Sequence, residues 1–409
     1  MQLTQQERNE IKSQVQRAAR TAWRNTGRKG TIVGATGVGK SKMAIDEVKE
    51  IIMSTYTSPP RKPTILLVTP TEALRDVNWP DEFKQWGLTE EGMNTYVKRI
   101  CYASLKKEKG NGYELVVLDE IHWLTERNSE GFRDRGSLIK FMSENMCKSV
   151  MGLTATEPDP ERDAMKAQIF EQIAPVCFRY TLDQAVDDGL LPEYRIKVIQ
   201  IPLDRILKVI PAGTKANPFA VTELAAYEFL NKKVMKASIA KRKNPNSKWA
   251  EMTYGERRRF IANLPSKARI AKNLIQREAI KAGKRVLIFC GGIEISRQLC
   301  GENVYNSSPE DKPRDMLSAF KNKTINYLGV VDAVNEGHNI PDIEGAVVHQ
   351  LSSNPRHIVQ RLGRAMRGED PWMYILVAQG TKDEDWCREA IADFNPKRIS
   401  YESYMNYLT

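Results

Sequence analysis

The sequence is poor in the residues that bind transition metals or form disulfides. It has 6 Cys and 4 His among 409 residues, with no Cys-x-x-Cys pair and no His beside a Cys at metal-ligand spacing. We therefore expect reduced and mostly buried cysteines. The pattern supports neither a disulfide framework nor a cysteine–histidine metal site.

Long apolar runs are also missing. No stretch approaches the roughly 18 apolar residues that a membrane-spanning helix needs. The first ten residues, MQLTQQERNE, are polar and charged, unlike the apolar core of a signal segment. Low-complexity tracts and internal repeats are absent as well. We expect a cytoplasmic protein without a membrane partner.

Positive charge is in excess, and the excess is localised. Lys and Arg number 62 against 51 Asp and Glu, a net charge of +11, and hydrophobic residues make up 41%, too many for a disordered basic tail. Between Asp204 and Lys281 there are 18 Lys and Arg against 6 Asp and Glu, a net charge of +12 that leaves −1 for the rest. We expect this segment to face nucleic acid or a membrane surface, although a solvated helix face gives the same pattern.

Short apolar runs alternate with helical patterns in two parts of the chain, which is typical of parallel α/β sheets covered by helices. Two α/β domains are predicted, with their junction near Asp183 to Pro192. The segment 193–203 alternates like an added strand, and residues 222–282 are predicted to be helical apart from a polar break at 241–248. The runs are Thr31–Val33, Thr64–Thr69, Glu114–Leu118 and Ser149–Thr154, then Arg285–Phe289, Ile325–Val331, Gly345–His349 and Met373–Ala378.

The octapeptide GATGVGKS, residues 34–41, follows a predicted strand and begins a predicted helix, which is the context of a phosphate-binding loop. Gly37 and Gly39 let backbone N–H groups turn toward the phosphates. Lys40 neutralises phosphate charge, and the Ser41 hydroxyl can coordinate Mg²⁺. The predicted cofactors are therefore ATP and Mg²⁺.

Two acids follow the predicted strand at 114–118, in the sequence DEIH. Asp119 is predicted to hold the Mg²⁺, and Glu120 to orient and deprotonate the attacking water, because phosphoryl transfer to water needs a metal and an in-line nucleophile. A solvated acid pair would be the simpler interpretation if no phosphate-binding loop accompanied it.

The order GATGVGKS, VTPT, DEIH, TAT and QRLGRAMR resembles superfamily 2 helicases of the DExH kind, over about residues 31–368. The resemblance implies a fold of two tandem RecA-like parallel-sheet domains. These would be residues 1–183 and 184–409, with a basic helical insertion at about 204–282 in the second.

Four segments resemble family motifs that grip nucleic acid or nucleotide. VTPTEALRD, with Thr69 and Pro70, resembles motif Ia, and CYASL, with Ser104, resembles motif Ib; FCGG, with Gly291, resembles motif IV. The resemblance implies nucleic-acid contacts for all of these residues. VVDAVNEGHNIP resembles motif V and implies nucleotide contacts for the residues Gly337 and Asn339, although many family members have Asp at the second position.

QRLGRAMRG resembles motif VI. Arg364 and Arg367 are one helical turn apart, so both guanidinium groups can point at one target. The resemblance implies that they act as arginine fingers on the γ-phosphate and that Gln360 contacts the nucleotide. A solvated basic helix face is the alternative.

Three residues are implied to couple the nucleotide site to strand movement. His122 of DEIH and Thr154 and Thr156 of the TAT segment, which resembles motif III, take this role by resemblance. The family also has a glutamine upstream of the phosphate-binding loop that contacts adenine. Gln14 and Gln16 are the candidates here.

The basic insertion carries its own signals. Its aromatic residues lie among Lys and Arg, so they either stack on unpaired bases or anchor the helices to the second domain. We favour phosphate contact for the charges and leave both interpretations of the aromatics open. The predicted phosphate contacts are Lys241, Arg242, Lys243, Arg257 and Arg258, and the aromatics are Trp249, Tyr254 and Phe260.

The predicted function is an ATP-dependent nucleic-acid helicase or translocase. DNA is favoured over RNA, with 3′ to 5′ movement or action on branched structures in replication, recombination or repair. Residues 179–203 are similar to the domain crossover of UvsW-type phage branched-DNA helicases, so a bacterium or a phage-infected cell is the expected setting. A monomer with a separate loading partner is expected. The alternatives are a duplex translocase that does not separate strands and an ATP-switched nucleic-acid clamp.

Overall fold

The chain forms two compact units in a computed structural model, Met1–Leu191 and Pro192–Thr409. The domain boundary predicted from the sequence lies after residue 183. All six cysteines are free thiols. Among the helices of the described residues, none is both long and apolar enough to cross a membrane. The structure describes residues 3–55, 60, 62–125, 138, 141–158, 160, 164–214, 216–244, 246–306, 316–331, 343–351 and 370–408.

The first unit is built on a parallel sheet. Its strands are β1 (Lys29–Gly34), β2 (Ile65–Thr69), β3 (Val97–Cys101), β4 (Gly112–Asp119), β5 (Met146–Thr154) and β6 (Val176–Tyr180). Within the described residues the six strands lie in the order β3-β2-β4-β5-β1-β6, every pair parallel. Strands β1, β2, β4 and β5 occupy the four predicted runs. Strands β3 and β6 have more polar sequences, VKRIC and VCFRY, and were missed.

Helices pack against this sheet, and most residues of its central strands are buried. The first helix begins with a capping box between Thr4 and Glu7. Its buried Trp23 donates a hydrogen bond to the carbonyl of Val150 on β5, at 2.8 Å. The α-helices are α1 (Gln5–Asn25), α2 (Lys40–Thr55), α3 (Trp79–Gln85), α4 (Glu90–Tyr96), α5 (Ala164–Ile173) and α6 (Leu182–Asp187), with a π-helix at Leu74–Asn78 and 3₁₀ helices at Tyr102–Lys107 and Ile121–Thr125.

The second unit has its own parallel sheet. Its strands are β7 (Arg195–Ile201), β8 (Ile210–Gly213), β9 (Pro218–Val221), β10 (Val286–Cys290), β11 (Val304–Asn306), β12 (Tyr327–Val331), β13 (Gly345–Val348), β14 (Trp372–Ala378) and β15 (Ile399–Ser403). Seven of the described strands lie in the order β11-β12-β10-β13-β14-β7-β15, and β8 and β9 form a separate antiparallel hairpin. The strand predicted at 193–203 is β7, between β14 and β15. The predicted fold class, two parallel-sheet α/β domains, is confirmed.

The basic segment contains two kinds of helix. Helices α7 (Glu223–Lys243) and α8 (Lys248–Ala262) pack on each other across the predicted polar break. Helix α9 (Pro265–Leu274) instead packs on β14 of the sheet, and its Ile270 and Leu274 lie in the buried hydrophobic cluster of the second unit. The remaining helices are α10 (Ile293–Cys300), α11 (Met316–Lys321) and α12 (Lys382–Ile391), with a π-helix at Ile275–Lys281 and 3₁₀ helices at Pro396–Arg398 and Tyr404–Tyr407.

An ion pair is buried where α9 meets α12. The Lys267 ammonium lies 2.6 Å from the Asp383 carboxylate, and both side chains are 0% exposed. The same carboxylate oxygen accepts the backbone N–H of Ala378 at 3.1 Å. Because neither charge can be solvated by water, each is stabilised mainly by the opposite charge of its partner.

Removing one partner of this pair should destabilise the second unit strongly. We expect Lys267→Met or Asp383→Leu to lower the free energy of unfolding by about 3–5 kcal/mol, because each leaves an unpaired buried charge. The double variant should be less destabilised than either single one. Urea denaturation of the full chain measures this. As a control, Lys148→Met breaks the exposed Lys148–Glu114 pair and should cost at most about 1 kcal/mol; equal effects at both pairs would contradict the expectation.

Candidate functional site

The phosphate-binding loop joins β1 to α2. Gly37 and Gly39 have φ values of +96° and +84°, a left-handed backbone that favours glycine. Lys40 begins α2, and its ammonium donates to the Gly34 carbonyl at 2.9 Å, so it lies across the loop. Ser41 follows in the first turn of the helix, where a hydroxyl and backbone N–H groups can meet phosphate.

Helix α1 fixes the loop from behind. The buried side chain of Gln16 donates to the Val38 carbonyl at 2.9 Å. A Cβ added at Gly39 would lie 2.4 Å from the Gln16 amide nitrogen, so only glycine allows this approach. Of the two predicted adenine contacts, Gln16 therefore uses its amide on the loop itself, whereas Gln14 is exposed on the same helix.

Ion pairs join α1 to α2, the helix that follows the loop. Arg20 and Arg24 both reach the buried Glu47 carboxylate, at 2.8 and 2.7 Å. Arg20 also lies 3.4 Å from Asp46 of α2, and Lys42 pairs with Asp46 within α2 at 2.7 Å. These residues were not predicted from the sequence. The available signal was the four-residue spacing of Arg20 and Arg24, which places them on one face of a helix.

Asp119 and Glu120 lie at the carboxyl end of β4. Because the sheet is parallel, this end shares an edge with the phosphate-binding loop. One Asp119 carboxylate oxygen accepts the Trp79 indole N–H at 2.8 Å, and the Asp119 carbonyl accepts the Tyr102 hydroxyl at 2.8 Å. Glu120 has a φ of +47°. That conformation costs a non-glycine residue about 1–3 kcal/mol and is typical of functional positions.

The charges at this edge perturb one another. Burial raises the pKa of Asp119 to about 7, and the adjacent Glu120 carboxylate raises it in the same direction. Burial lowers the pKa of Lys40, while Glu120 and Asp119 oppose that change. A divalent cation would offset the repulsion between the two carboxylates, and the oxygen donors Ser41 and Asp119 fit Mg²⁺. Bound Mg²⁺ would neutralise charge on the phosphates.

The three predicted coupling residues lie together. The Nδ1 atom of the buried His122 is 3.2 Å from a Glu120 carboxylate oxygen and 2.8 Å from the Thr154 hydroxyl. That hydroxyl donates to the Thr156 carbonyl at 2.7 Å and accepts the Thr156 N–H at 3.1 Å. Since the Thr154 proton is used on Thr156, Nδ1 donates to the Thr154 hydroxyl, while the Glu120 carboxylate lies at ion-pair distance from the same ring. A continuous polar path therefore runs from Glu120 to the end of β5.

The predicted nucleic-acid residues of the first unit lie at the same sheet edge. Thr69 ends β2 and is buried, and its hydroxyl donates to the Thr71 carbonyl at 3.1 Å. The half-buried Pro70 follows it directly. Ser104 is half-buried in the 3₁₀ helix after β3, the strand beside β2.

The predicted contact in the second unit, Gly291, follows β10. A Cβ added there would overlap the side-chain amide of Gln350, which follows β13. This close approach explains the glycine. Five other predicted residues lie outside the described residues: Gly337, Asn339, Gln360, Arg364 and Arg367.

The predicted basic contacts of the insertion divide into two groups. Lys241 is half-buried, 3.9 Å from Glu251 and 5.6 Å from the ring centroid of Tyr254. Arg257 donates to Asn231 at 3.2 Å. These two residues therefore hold α7 and α8 together. The exposed ones are Arg242, Lys243 and Arg258.

The aromatics divide in the same way. Phe260 stacks on Tyr227 at 6.4 Å between ring centroids, and the Tyr254 hydroxyl is 3.0 Å from that of Ser238. Both rings contribute to packing within the unit. Trp249 is 44% exposed and remains available to a partner.

Two family models match the chain in the order of its units. The model described as "Type III restriction enzyme, res subunit" matches residues 4–159. The model described as "Helicase conserved C-terminal domain" matches residues 266–369. The first covers the phosphate-binding loop and DEIH, and the second covers FCGG and QRLGRAMR.

Relatives and solved structures agree with these matches. DNA 3′-5′ translocase XPB2 of Sulfurisphaera tokodaii is 24% identical over 381 residues, 87% of this chain and 79% of that protein. A Methanocaldococcus jannaschii protein named as a candidate ATP-dependent RNA helicase is 39% identical over 106 residues, which are 26% of this chain and only 14% of the relative. Dbp5 of S. cerevisiae, solved with RNA and ADP BeF3, has a TM-score of 0.58 at 12% identity and covers 96% of this chain and 90% of its own.

Together the matches confirm the predicted fold, the prediction that the protein is an enzyme, and the predicted class of activity. The fold is that of tandem RecA-like helicase domains. The protein is an enzyme, an ATP-dependent nucleic-acid helicase or translocase.

Replacing Gly39 should disrupt nucleotide binding through Gln16. We expect Gly39→Ala to weaken ATP binding at least about tenfold, since the left-handed φ and the nearby amide both oppose a Cβ. Equilibrium titration with a fluorescent ATP analogue measures it. Gly110→Ala is the control: its φ is +66°, but nothing lies within 4 Å of the new Cβ. It should lower stability and leave ATP affinity unchanged. Unchanged affinity in Gly39→Ala would refute the expectation.

Proposed function

We propose that the chain is a member of superfamily 2 of the helicases and an ATP-driven motor that moves 3′ to 5′ along DNA and acts on branched structures in replication, recombination or repair. One observation carries the motor assignment: Lys40, Asp119 and Glu120 meet at one sheet edge, and the path through His122 leads away from it to Thr154. A simple ATP-binding switch needs no catalytic base and no such path.

Each site residue has a proposed role in hydrolysis. Lys40 neutralises the γ-phosphate, Ser41 and Asp119 hold Mg²⁺, and Glu120 orients the attacking water. The glycines of the loop, Gly37 and Gly39, free backbone N–H groups for phosphate. Arg364 and Arg367 supply positive charge to the transition state, and Gly337, Asn339 and Gln360 contact the nucleotide.

DNA is the proposed track because a relative that matches 87% of this chain is named as a DNA translocase, whereas two relatives named as RNA helicases match 44% and 26% of it. Translocation on duplex DNA without strand separation is the second candidate. It is favoured by the similarity to a restriction-enzyme subunit and to a translocase. The similarity of residues 179–203 to UvsW-type phage helicases supports branched substrates.

The proposed setting is the cytoplasm of a bacterium or a phage-infected cell, where the protein acts as a monomer with a loading partner. On the track, Thr69, Pro70, Ser104 and Gly291 lie in the segments that hold the backbone of the strand. The exposed charges of the insertion, Arg242, Lys243 and Arg258, add long-range attraction to phosphate. Lys241 and Arg257 support this surface by joining its two helices.

Catalysis is tested at Lys40 and Glu120. We expect Lys40→Ala or Glu120→Gln to lower nucleic-acid-stimulated ATP turnover at least about 100-fold, because a positioned base and a phosphate-neutralising charge each contribute that much. Steady-state phosphate release measures it. Glu114→Gln, on the same strand and paired with Lys148, is the matched control and should be active. ATP turnover near the unmutated rate in both site variants would contradict the proposed catalytic roles of Lys40 and Glu120.

The two candidate activities separate on defined substrates. A labelled fork and a duplex carrying a displaceable bound protein are compared at one stated salt concentration, with RNA versions alongside. We expect strand separation at the fork, and stronger stimulation of ATP turnover by DNA than by RNA. Displacement of the bound protein without strand release would favour the duplex translocase instead.

Charge reversal tests the insertion. We expect Arg242→Glu together with Lys243→Glu to weaken DNA binding and to reduce the slope of log affinity against log salt by about one for each phosphate that the protein no longer binds. Fluorescence anisotropy across a salt series measures both. Lys29→Glu with Lys109→Glu makes the same change in net charge at exposed positions near the amino ends of β1 and β4. If this control pair weakens binding equally, net charge alone is responsible.

A further inference from the structure

Two aromatic residues hold Asp119 from different directions. The Trp79 indole N–H donates to its carboxylate at 2.8 Å, and the Tyr102 hydroxyl donates to its backbone carbonyl at 2.8 Å. Trp79 is 3% exposed and Tyr102 1% exposed. A buried indole or phenol usually finds a polar partner. Here both partners belong to the same residue, the one proposed to hold Mg²⁺.

Tyr102 lies in a segment proposed to hold the nucleic-acid strand, and Trp79 lies three residues beyond another. Trp79 begins the helix that follows the segment containing Thr69 and Pro70. Tyr102 directly follows β3 and begins the same 3₁₀ helix as Ser104. A displacement of either segment therefore moves a group that is bonded to Asp119.

The backbone before Trp79 is wound in an unusual way. Residues Leu74–Asn78 form a π-helix, and the Trp79 N–H donates to the Leu74 carbonyl, five residues back. Pro80 explains this winding, since its ring cannot donate and would clash with a carbonyl four residues earlier in a regular α-helix. The widened turn sets the direction of the indole, which packs on Phe83 at 5.6 Å between ring centroids.

The geometry constrains what the carboxylate can do. An N–H bond to a carboxylate is charge-assisted and directional, so the indole fixes the rotation of the Asp119 side chain. With one oxygen oriented by Trp79, the direction of the other oxygen follows. Tyr102 independently fixes the carbonyl end of the same residue. A buried indole that moved with its helix would turn the carboxylate with it.

We propose that Trp79 and Tyr102 are positioning residues that transmit nucleic-acid engagement to the metal-binding carboxylate of Asp119. This rests on the proposed function. Binding of a strand at the Thr69–Pro70 and Ser104 segments sets the indole and the phenol, and these orient Asp119 for the Mg²⁺–nucleotide complex. The path from Glu120 through His122 to Thr154 leaves the site on the other side, toward β5. The nucleotide site is thus linked in two directions. Trp79 and Tyr102 link it to the segments after β2 and β3, and His122 links it to the end of β5.

Equilibrium coupling tests the proposal without turnover. The affinity for Mg²⁺ and a non-hydrolysable fluorescent ATP analogue is measured with and without saturating single-stranded DNA, in the unmutated protein, Trp79→Phe and Tyr102→Phe. We expect DNA to tighten nucleotide binding in the unmutated protein. In Trp79→Phe the coupling factor should fall about tenfold, the scale of one hydrogen bond to a charged group. The reciprocal effect of nucleotide on DNA affinity must change by the same factor.

Two further readouts separate positioning from general damage. The Mg²⁺ concentration needed for half-maximal nucleotide binding should rise in Trp79→Phe, and DNA affinity without nucleotide should stay within about twofold of the unmutated value. Trp86→Phe and Tyr113→Phe are matched controls, because these side chains donate to Glu82 and Glu108 rather than to Asp119. Both controls should keep the unmutated coupling factor.

The outcomes distinguish the inference from the proposed function. Unchanged coupling in both Trp79→Phe and Tyr102→Phe, beside a coupled unmutated protein, overturns the inference alone. An equal loss of nucleotide affinity with and without DNA also overturns it, since that indicates structural damage. No effect of any nucleic acid on the unmutated protein overturns the proposed function itself. If Trp79→Phe does not fold, Tyr102→Phe, which removes a single oxygen atom, decides.

Discussion

The structure around the nucleotide site depends on one electrostatic constraint. Asp119 and Glu120 are adjacent, half-buried carboxylates at the carboxyl edge of a sheet, close enough to Lys40 to act on its pKa. Like charges in such a place are unfavourable unless cations and hydrogen bonds compensate them. Lys40 compensates part of this negative charge. A divalent cation held by the oxygens of Ser41 and Asp119 would compensate the rest. The empty and loaded forms of the site must therefore differ in local electrostatics.

The surrounding residues keep this arrangement in place. Gln16 and the arginines of α1 hold the phosphate-binding loop and its helix, Trp79 and Tyr102 hold Asp119, and the His122 ring lies beside the Glu120 carboxylate. The side chains of Gln16, Trp79, Tyr102 and His122 are buried, so each of them needs such a partner. Three separate chain segments thus contribute to the position of two carboxylates, which is what makes this edge of the sheet sensitive to events elsewhere in the first unit.

The residues that would carry out the chemistry are easier to predict from the sequence than the residues that hold them in position. The phosphate-binding loop and DEIH are local patterns whose residue types follow from phosphate and metal chemistry, and the apolar strands beside them are equally plain. Trp79 is different, because its partner lies 40 residues away and a single tryptophan carries no pattern. Gln16 was noticed for adenine, but its amide bonds to the loop, a distinction that depends on distance rather than residue type.

The net charge of the predicted insertion does not show which of its basic side chains are exposed. Lys267 contributed to the basic excess of the predicted insertion, yet it is buried in the core against Asp383. Lys241 and Arg257 contributed as well, and they face the neighbouring helix. A net charge identifies a basic segment but not which of its side chains reach solvent, since helical periodicity alone does not tell which face a partner helix covers.

The left-handed backbone of Glu120 has a consequence for how this chain can change. Glycine would relax that conformation and stabilise the fold by about 1 kcal/mol, while deleting the carboxylate that we propose as the catalytic base. Selection for stability alone would therefore favour an inactive protein at this position. A search for stabilised variants that ignores turnover should enrich substitutions at residue 120 before those at most other sites of the first unit. Such enrichment would mark the residue as one where activity and stability are in direct conflict.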